Sequence, residues 1–198
     1  MKRFIHFSII TLLFSFLSVA AASARTWELD RAHTNFYFSV DHIFSKVRGH
    51  FNDYTGEVAF DPADLANSSL KFVIKVDSID TNEPKRDKHL RSADFFDSDK
   101  YPLMTFTSTK ITALGDGKYA AAGKFNVKGQ DYDLTLPFTL AGIKPHPMAP
   151  GKDVIGLNGG LVIDRLQYKI GSGKFYKLGI VGKDVDILVT VEGLSDKR

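Results

Sequence analysis

The sequence predicts an all-β fold, an eight-stranded antiparallel barrel with short helices in one crossover. Apolar and polar residues alternate with a period of two from Trp27 onward, which is typical of half-buried strands. About eight such segments follow one another, mostly through hairpin turns and without the helices of a βα repeat. That pattern fits a sandwich or a barrel. The barrel is favoured because closure removes exposed strand edges, and eight strands leave room for a small ligand.

Each strand is predicted from its own alternation. In 33–42, for example, Phe36, Phe38, Val40 and His42 share one face, while Tyr37, Ser39 and Asp41 share the other. Strand-like runs around Trp27 and in nine further segments complete the pattern: 33–42, 47–51, 56–60, 70–76, 104–109, 119–127, 132–140, 157–163 and 185–191.

The connections carry their own signals. Asp61-Pro62 predicts a strand end followed by one short helical turn, with Pro62 at the first helical position. Gly115-Asp116-Gly117 and 128–131 predict tight hairpin turns. Pro137 lies inside a strand pattern and predicts an edge, a bulge or a departure from regular pairing. Residues 171–174 are interpreted as a turn.

The stretch 82–101 breaks the alternation and predicts the crossover. Pro84 suits the first turn of a helix, and Asp87 and Arg91 stand at the i,i+4 spacing that supports one. Ser92 predicts the cap of a second short helix. Because Leu90 and the pair Phe95-Phe96 are apolar, we expect them to attach this charged segment to a hydrophobic body.

Residues 1–24 have the pattern of a cleaved secretory signal peptide. Lys2 and Arg3 precede the apolar run 9–19, and Ala22-Ser23-Ala24 resembles a cleavage site. The apolar run is shorter than the roughly 20 residues of a membrane-spanning helix. We therefore expect export, with 25–198 as one domain held by its core alone, since the chain has no cysteine.

Charge gives no reason to expect a nucleic-acid partner. The formal net charge is +3 for the whole chain, and it falls to +1 once Lys2 and Arg3 are removed. No later apolar stretch is long enough to span a bilayer, so stable membrane insertion is not expected.

The sequence contains no recognisable catalytic or metal-binding motif. Its histidines form no HExxH or close His/Cys cluster, and there is no GxSxG elbow. Gly171-Ser172-Gly173-Lys174 fails as a phosphate loop because Tyr168 and Phe175 stand at its required positions. We expect no metal, no catalytic residues and no required cofactor.

Phenylalanine is unusually abundant in this sequence. Four of the sixteen lie in the predicted signal peptide, which leaves twelve for the exported chain. Many share one strand face. They could form a dense core or line a tunnel for a long apolar ligand, and composition alone does not separate these alternatives.

These residues together resemble the YceI-like family of periplasmic, lipocalin-like proteins associated with polyisoprenoid binding. The resemblance covers nearly all of 25–198 and is strongest in the crossover. It rests on the following residues: 27–30, His33-Thr34, Phe38, Val40, His42, 47–51, Gly56, 86–90, 94–96, Tyr101-Pro102, Phe106, 123–136 with Gly129, 163–165 and Gly171. This chain departs from the family pattern at Lys85 and at 166–169.

The resemblance implies an elongated barrel in the periplasm whose pore holds a long isoprenoid lipid. It also implies that a homodimer can form, as it often does among family members. An enzyme acting on the lipid or its head group, and a solid-cored barrel that binds proteins, remain alternatives. The expected ligand-binding residues are the inward-facing set: Phe36, Phe38, Val40, His42, Phe72, Ile74, Met104, Phe106, Leu134, Leu136, Ile163, Ile187 and Val189. The candidates for a polar rim, or alternatively for braces of the crossover, are Arg86, Asp87, His89 and Arg165.

Overall fold

A computed structural model describes residues 23–197, whose strands form one closed antiparallel sheet. The predicted signal peptide lies almost wholly outside the described residues. The strands are β1 (Thr26–Leu29), β2 (Asn35–His42), β3 (Ser45–Phe51), β4 (Tyr54–Ala59), β5 (Ser69–Lys75), β6 (Ile79–Asp80), β7 (Leu103–Gly115), β8 (Lys118–Val127), β9 (Gln130–Pro145), β10 (Lys152–Asp164) and β11 (Val181–Asp196). A 3₁₀ turn (Val76–Ser78) and two short helices, α1 (Pro84–Arg91) and α2 (Lys174–Lys177), complete these elements.

Short strands combine in pairs, so the barrel wall has eight strands. β1 and β2 pair with successive stretches of β11. β4 and β3 then pair with β1 and β2, and β5 and β6 pair with β4 and β3. Each of these three pairs acts as one interrupted barrel strand, and β7 to β11 supply the other five. The predicted eight-stranded antiparallel barrel is confirmed.

The turn between β1 and β2 fixes the closure of the barrel. The Asp30 carboxylate accepts hydrogen bonds from the Ala32 N–H and lies 2.7 Å from Nδ1 of His33. The Thr34 hydroxyl donates to the carbonyl of Glu192, and the Glu192 N–H donates back to that hydroxyl. Because these contacts join the turn to β11, β1 and β2 are both held against β11 and together form one strand of the barrel wall.

Large side chains fill one end of the barrel. Phe60 and Ile155 are fully buried there, and the indole N–H of Trp27 donates to the carbonyl of Phe60 at 2.9 Å. The Phe60 ring meets Tyr119 and Phe138 edge to face at 5.2 and 5.6 Å. Such aromatic packing leaves little open space. We call this part of the barrel the filled end.

The crossover closes the opposite end. α1 begins at Pro84 as predicted, with the Glu83 side chain accepting the N–H of Lys85 as its cap. The predicted second helix is wrong: residues 92–96 form turns, and Ser92 is the C-cap of α1. We call α1 and the turns that follow it, 84–98, the cover.

Asp87 and Arg91 both lie in α1, in agreement with the helix predicted from their spacing, but each bonds to a group outside the helix. Asp87 is buried and accepts hydrogen bonds from both the N–H and the hydroxyl of Thr81. Arg91 donates to the carbonyls of Asp77 and Ile79 instead. Buried backbone groups beside a two-residue strand need partners, and these side chains supply them where an exposed ion pair would contribute little.

Three connections also bear on the sequence-based expectations. The segment after Asp61 forms turns in place of the predicted helix, because Ser68 bonds back to the carbonyls of Asp61 and Asp64. Pro137 lies within β9 and pairs with Ala120 of β8, but it is one residue beyond the last pair of the β9–β10 ladder. The predicted departure from regular pairing is therefore found on one side of the strand only. The turn predicted at 171–174 runs into α2, which the sequence did not predict.

No helix among residues 23–197 is long and apolar enough to cross a membrane.

Replacing Gly123 by alanine tests the barrel's register. Gly123 pairs with Ser108 at a register shift between β7 and β8. An added Cβ would collide with the backbone carbonyl of Thr107 and come within 2.8 Å of the Ser108 Cα. We expect Gly123→Ala to lower the free energy of unfolding by about 1–3 kcal/mol in urea denaturation, because the backbone must move.

Gly182→Ala is the matched control. Its Cβ would meet Asp41 atoms no closer than 3.4 Å, an ordinary contact. The control should leave stability unchanged or slightly raised, since alanine restricts the unfolded chain. Equal destabilisation by Gly123→Ala and Gly182→Ala would contradict the conclusion that the register shift between β7 and β8 requires glycine at position 123.

A second substitution tests how the cover is attached. Asp87→Ala would leave the buried N–H of Thr81 without its acceptor, at an expected cost of about 1–3 kcal/mol in unfolding free energy. Hydrogen exchange should accelerate mainly in 84–98, since this region loses its attachment. Lys88→Ala, at the exposed neighbouring position, is the control. Uniform acceleration over the whole barrel would argue against a separately attached cover.

Candidate ligand-binding cavity

A cavity occupies the barrel between the filled end and the cover. Its volume is about 180 Å³, and it is only partly enclosed. Its lining extends from Phe36 and Phe72, beside the filled end, to Leu90 and Phe95 of the cover, so the space runs along the barrel. A cavity of this shape suits a slender chain better than a bulky compact ligand.

The strands build an apolar wall because their alternate side chains point inward. Phe36 and Val189 are paired residues of β2 and β11, and Phe72 and Phe106 are paired residues of β5 and β7. Their rings and methyl groups therefore meet inside the ring of strands. Phe36 contacts Phe72 edge to face at 5.2 Å, where the cavity meets the filled end.

Twelve of the thirteen residues proposed from the sequence as ligand-binding line this cavity. They are Phe36, Phe38, Val40, Phe72, Ile74, Met104, Phe106, Leu134, Leu136, Ile163, Ile187 and Val189. His42 does not line it. This residue ends β2 and pairs with Ser45 of β3 and with Val181, which itself lines the cavity. The alternation that suggested His42 therefore matches the lining as far as Val40, and His42 lies outside the lining.

The sequence-based set omitted several wall residues. Leu161 and Val185 lie two positions from the proposed Ile163 and Ile187, so the same alternation could have found them. Phe51 is likewise on an alternating strand. Ile170 and Val181 follow turns, where no periodic signal exists. The remaining omitted wall residues of the barrel are Tyr37, Thr105 and Phe125.

The cover closes the cavity with Leu90, Phe95 and Phe96. The Phe95 ring stacks on Phe175 at 6.2 Å and meets the His89 ring edge to face at 5.0 Å. Phe96 meets Phe51 of the wall at 6.1 Å. The apolar residues predicted to attach the crossover thus do so, and they also form part of the cavity's lining.

Arg165 is the only charged residue among those that line the cavity in the described part of the chain, and it is 5% exposed. Nε donates to the carbonyl of Gly182 and Nη1 to that of Ile170, both at 2.8 Å. Burial lowers the pKa of this guanidinium, and the nearby Asp164 opposes that effect. Gly171, at φ +86°, leaves the space that Nη1 and the Phe95 ring occupy. Arg165 therefore ties together two turns at the cavity's end.

The other three candidates for a polar rim lie outside the wall and brace the cover. Arg86 donates from Nε to the hydroxyl of Thr81 at 2.7 Å and from Nη2 to its carbonyl at 2.6 Å. Asp87 accepts from the same Thr81. His89 lies 3.0 Å from the Asp94 carboxylate. Of the two roles considered from the sequence, the contacts of these three residues match the bracing role.

One group with possible metal-ligand geometry occurs among residues 23–197: Asp30, His33 and Glu192. It lies at the β1–β2 turn and is not part of the cavity wall. The hydrogen bond between the His33 ring and the Asp30 carboxylate is the main cause of both pKa shifts in this pair. It raises the pKa of His33 and lowers the pKa of Asp30. The Asp30–His33 pair is thus accounted for by the structure of the turn that closes the barrel.

Comparisons with known proteins agree with this architecture. The YceI-like domain model matches residues 27–193. An UPF0312 protein of Photorhabdus laumondii is 30% identical over 184 residues, spanning 91% of this chain and 92% of its own. An UPF0312 protein of Vibrio cholerae is 36% identical over 130 residues, or 64% of this chain and 69% of its own.

Solved structures show the same fold. Burkholderia cenocepacia BcnA is 27% identical, with a TM-score of 0.74 over 83% of this chain and 99% of its own. The Campylobacter jejuni YceI protein is 32% identical, with a TM-score of 0.69 over 86% and 98%. A polyisoprenoid binding domain from Saccharophagus degradans, at 13% identity, has a TM-score of 0.60 over 89% and 100% and shares the fold. With its family match, its relatives and its barrel in agreement, this chain belongs to the YceI-like family.

Proposed function

We propose that this protein binds a long apolar lipid, such as a polyisoprenoid or an isoprenoid quinone, inside the barrel and stores or transports it in the periplasm. The observation that carries the proposal is the cavity inside the barrel, whose wall is built almost entirely of hydrocarbon side chains. The bound lipid is cargo, and no cofactor is needed for this role. The signal-peptide pattern of 1–24 supports export to the periplasm.

Hydrophobic burial supplies the affinity. Removing apolar surface from water contributes roughly 25 cal/mol per Å², so each added prenyl unit strengthens binding as long as the cavity has room. An unfilled hollow in a protein also costs stability, because the side chains around it lose packing contacts. A barrel that packs one end tightly and leaves the other hollow is therefore best explained by a ligand that fills the hollow part.

The position of the polar groups suggests how the lipid lies. Arg165 directs its guanidinium donors at backbone carbonyls of neighbouring turns, and no carboxylate lines the cavity in the described part of the chain. A charged head group inside would lose its hydration without gaining partners. We therefore place the hydrocarbon chain inside and the head group at the opening.

The solved relatives support the same class of ligand. The domain from Saccharophagus degradans is described as polyisoprenoid binding, and its barrel superimposes over 89% of this chain. At 13% identity this likeness concerns the fold, so the argument for a lipid rests on the cavity of this chain.

The two alternatives fit less well. Catalysis on a bound lipid by His42, Asp87 or His89 would require these side chains to face the cavity, and none of them lines it. Asp87 and His89 are occupied in holding the cover. A solid-cored barrel that binds partners through its surface is disfavoured by the cavity itself. A homodimer remains compatible with lipid binding.

Filling the cavity with protein should abolish lipid binding. Ile187→Trp places an indole in the space that the ligand would occupy, and we expect at least about a tenfold loss of bound lipid, equivalent to 1.4 kcal/mol. Native mass spectrometry of gently purified protein, followed by lipid extraction and mass identification, measures the occupancy.

Leu188→Trp provides the matched control because Leu188 is the next residue, faces outward and is 47% exposed. It should bind lipid as the wild-type protein does. A wild-type protein that is consistently empty and takes up no added prenyl lipid would disprove the proposed function. Product formation from bound lipid that disappears in His89→Ala would favour the enzyme alternative.

A further inference from the structure

An exposed apolar surface lies at the end of the barrel that holds the cover. Phe44, at the tip of the β2–β3 hairpin, is 102% exposed, and its neighbour Ile43 is 58% exposed. Tyr176 and Leu178, in and just after α2, are 45% and 61% exposed. We call Ile43, Phe44, Tyr176 and Leu178 the apolar tip. Large apolar side chains grouped in this way on a protein surface mark an interaction site.

Hydrogen bonds join the two parts of the apolar tip. The N–H of Ile43 donates to the carbonyl of Ile180 at 3.0 Å, and His42 pairs with Val181 where β2 meets β11. The N–H of Ile180 donates in turn to the carbonyl of Phe175 in α2. The hairpin and the segment 174–180 therefore form one surface.

The hairpin holds Ile43 in an unfavourable backbone conformation. Ile43 is the first of the two loop residues and has φ of +51°, while Phe44 is not in the positive-φ region. A two-residue hairpin loop with this arrangement favours glycine at its first position. A β-branched residue there is strained, and such strain clusters at functional sites. The sequence thus places two large apolar residues at an exposed turn where glycine would be easier to accommodate.

Two of the lysines beside the apolar tip are unpaired. Lys174 and Lys177 of α2 are exposed and have no ion pair within the described residues. The other lysines nearby each contact two carboxylates: Lys46 lies 2.9 Å from Asp41 and 3.2 Å from Asp186, and Lys183 lies 2.9 Å from Asp164 and 3.3 Å from Asp184. Free lysines next to exposed phenylalanine and leucine are the combination that binds the interface of an anionic lipid bilayer.

The apolar tip is continuous with the cavity. Val40 and Val181, which line the cavity, lie three residues before Ile43 and three residues after Leu178. The filled end, by contrast, lies at the other end of the barrel. A membrane bound at the apolar tip would therefore meet the part of the barrel that contains the hollow.

We propose that the apolar tip docks the barrel onto an anionic phospholipid surface, with Phe44 and Leu178 inserted at the headgroup boundary and Lys174 and Lys177 against the phosphates. Docking would let the hydrocarbon chain pass between bilayer and cavity with less exposure to water. This inference extends the proposed function, which supplies the cargo, but the docking itself depends only on the surface.

A second copy of the chain fits this surface less well. A stable protein interface buries roughly 800 Å² on each partner over a broad patch. The apolar tip consists of one hairpin tip and one short helix, and the two lysines of α2 beside it have no ion-pair partner among the described residues. Two copies would bring Lys174 and Lys177 of each chain near their counterparts, which costs free energy by repulsion.

Cosedimentation with vesicles tests the proposal. The protein should bind phosphatidylcholine vesicles that contain phosphatidylglycerol, and more weakly those that do not. Phe44→Ser should reduce binding at least about tenfold through lost apolar burial. Replacing Lys174 and Lys177 by glutamine should reduce binding about fivefold per lysine, only on the anionic vesicles and less at high salt.

The matched pair is Leu178→Ser and Leu114→Ser. Both leucines are 61% exposed, but Leu114 lies in the β7–β8 hairpin at the filled end. The first substitution should weaken vesicle binding and the second should leave it unchanged. Since all the replaced side chains are exposed, melting temperatures should match that of the wild-type protein, which separates docking from folding.

Several outcomes would overturn the proposal. Wild-type protein that binds neither kind of vesicle would do so, as would equal binding by Leu178→Ser and Leu114→Ser. A wild-type dimer in light scattering that Phe44→Ser converts to a monomer would assign the surface to a second copy. Prenyl lipid delivered in detergent should fill Phe44→Ser and wild type equally. Wild-type protein that stays empty in that assay yet binds anionic vesicles would refute the proposed cargo while supporting the docking.

Discussion

Closure of the barrel through β11 is the constraint on which the rest of the structure depends. β11 pairs with β10 along one edge, and its other edge serves first β2 and then β1. This shared pairing closes the ring of strands at β11, where an open sheet would otherwise present an edge to other chains. It also fixes which side chains face inward, because a shift of one residue would turn each strand inside out. The Asp30–Thr34 turn holds the junction in place.

Once the ring is closed, side-chain volume decides where it is solid and where it is hollow. Trp27, Phe60, Tyr119 and Phe138 meet at one end and pack their rings against one another. Toward the other end, inward phenylalanines alternate with smaller valines, and the cover arrives as a separate segment across the opening. The cavity is thus a consequence of the wall together with the cover. The charged side chains of the cover attach it to the barrel. Asp87 and Arg86 both form hydrogen bonds with Thr81.

A hollow apolar barrel and a strained apolar hairpin both cost stability. Both the hollow barrel and the strained hairpin are explained if the ligand is a hydrocarbon chain that comes from a membrane. The wall near Val40 and Val181 connects the two features, since it borders the cavity on one side and the apolar tip on the other. Loading, storage and release would then all occur at the same end of the molecule.

The sequence by itself determined the strand pattern, the eight-stranded barrel and most of the inward face, because alternation with a period of two follows directly from strand geometry. It also identified Leu90, Phe95 and Phe96 as the apolar contacts of the crossover. Only the tertiary structure decided that β1 to β6 combine into three interrupted strands, that His42 is not among the residues lining the cavity, and that Asp87 bonds to Thr81. These outcomes depend on where strands end and on which buried backbone groups need partners. These contacts join residues that come together only in the closed barrel, so no local pattern in the sequence predicts them.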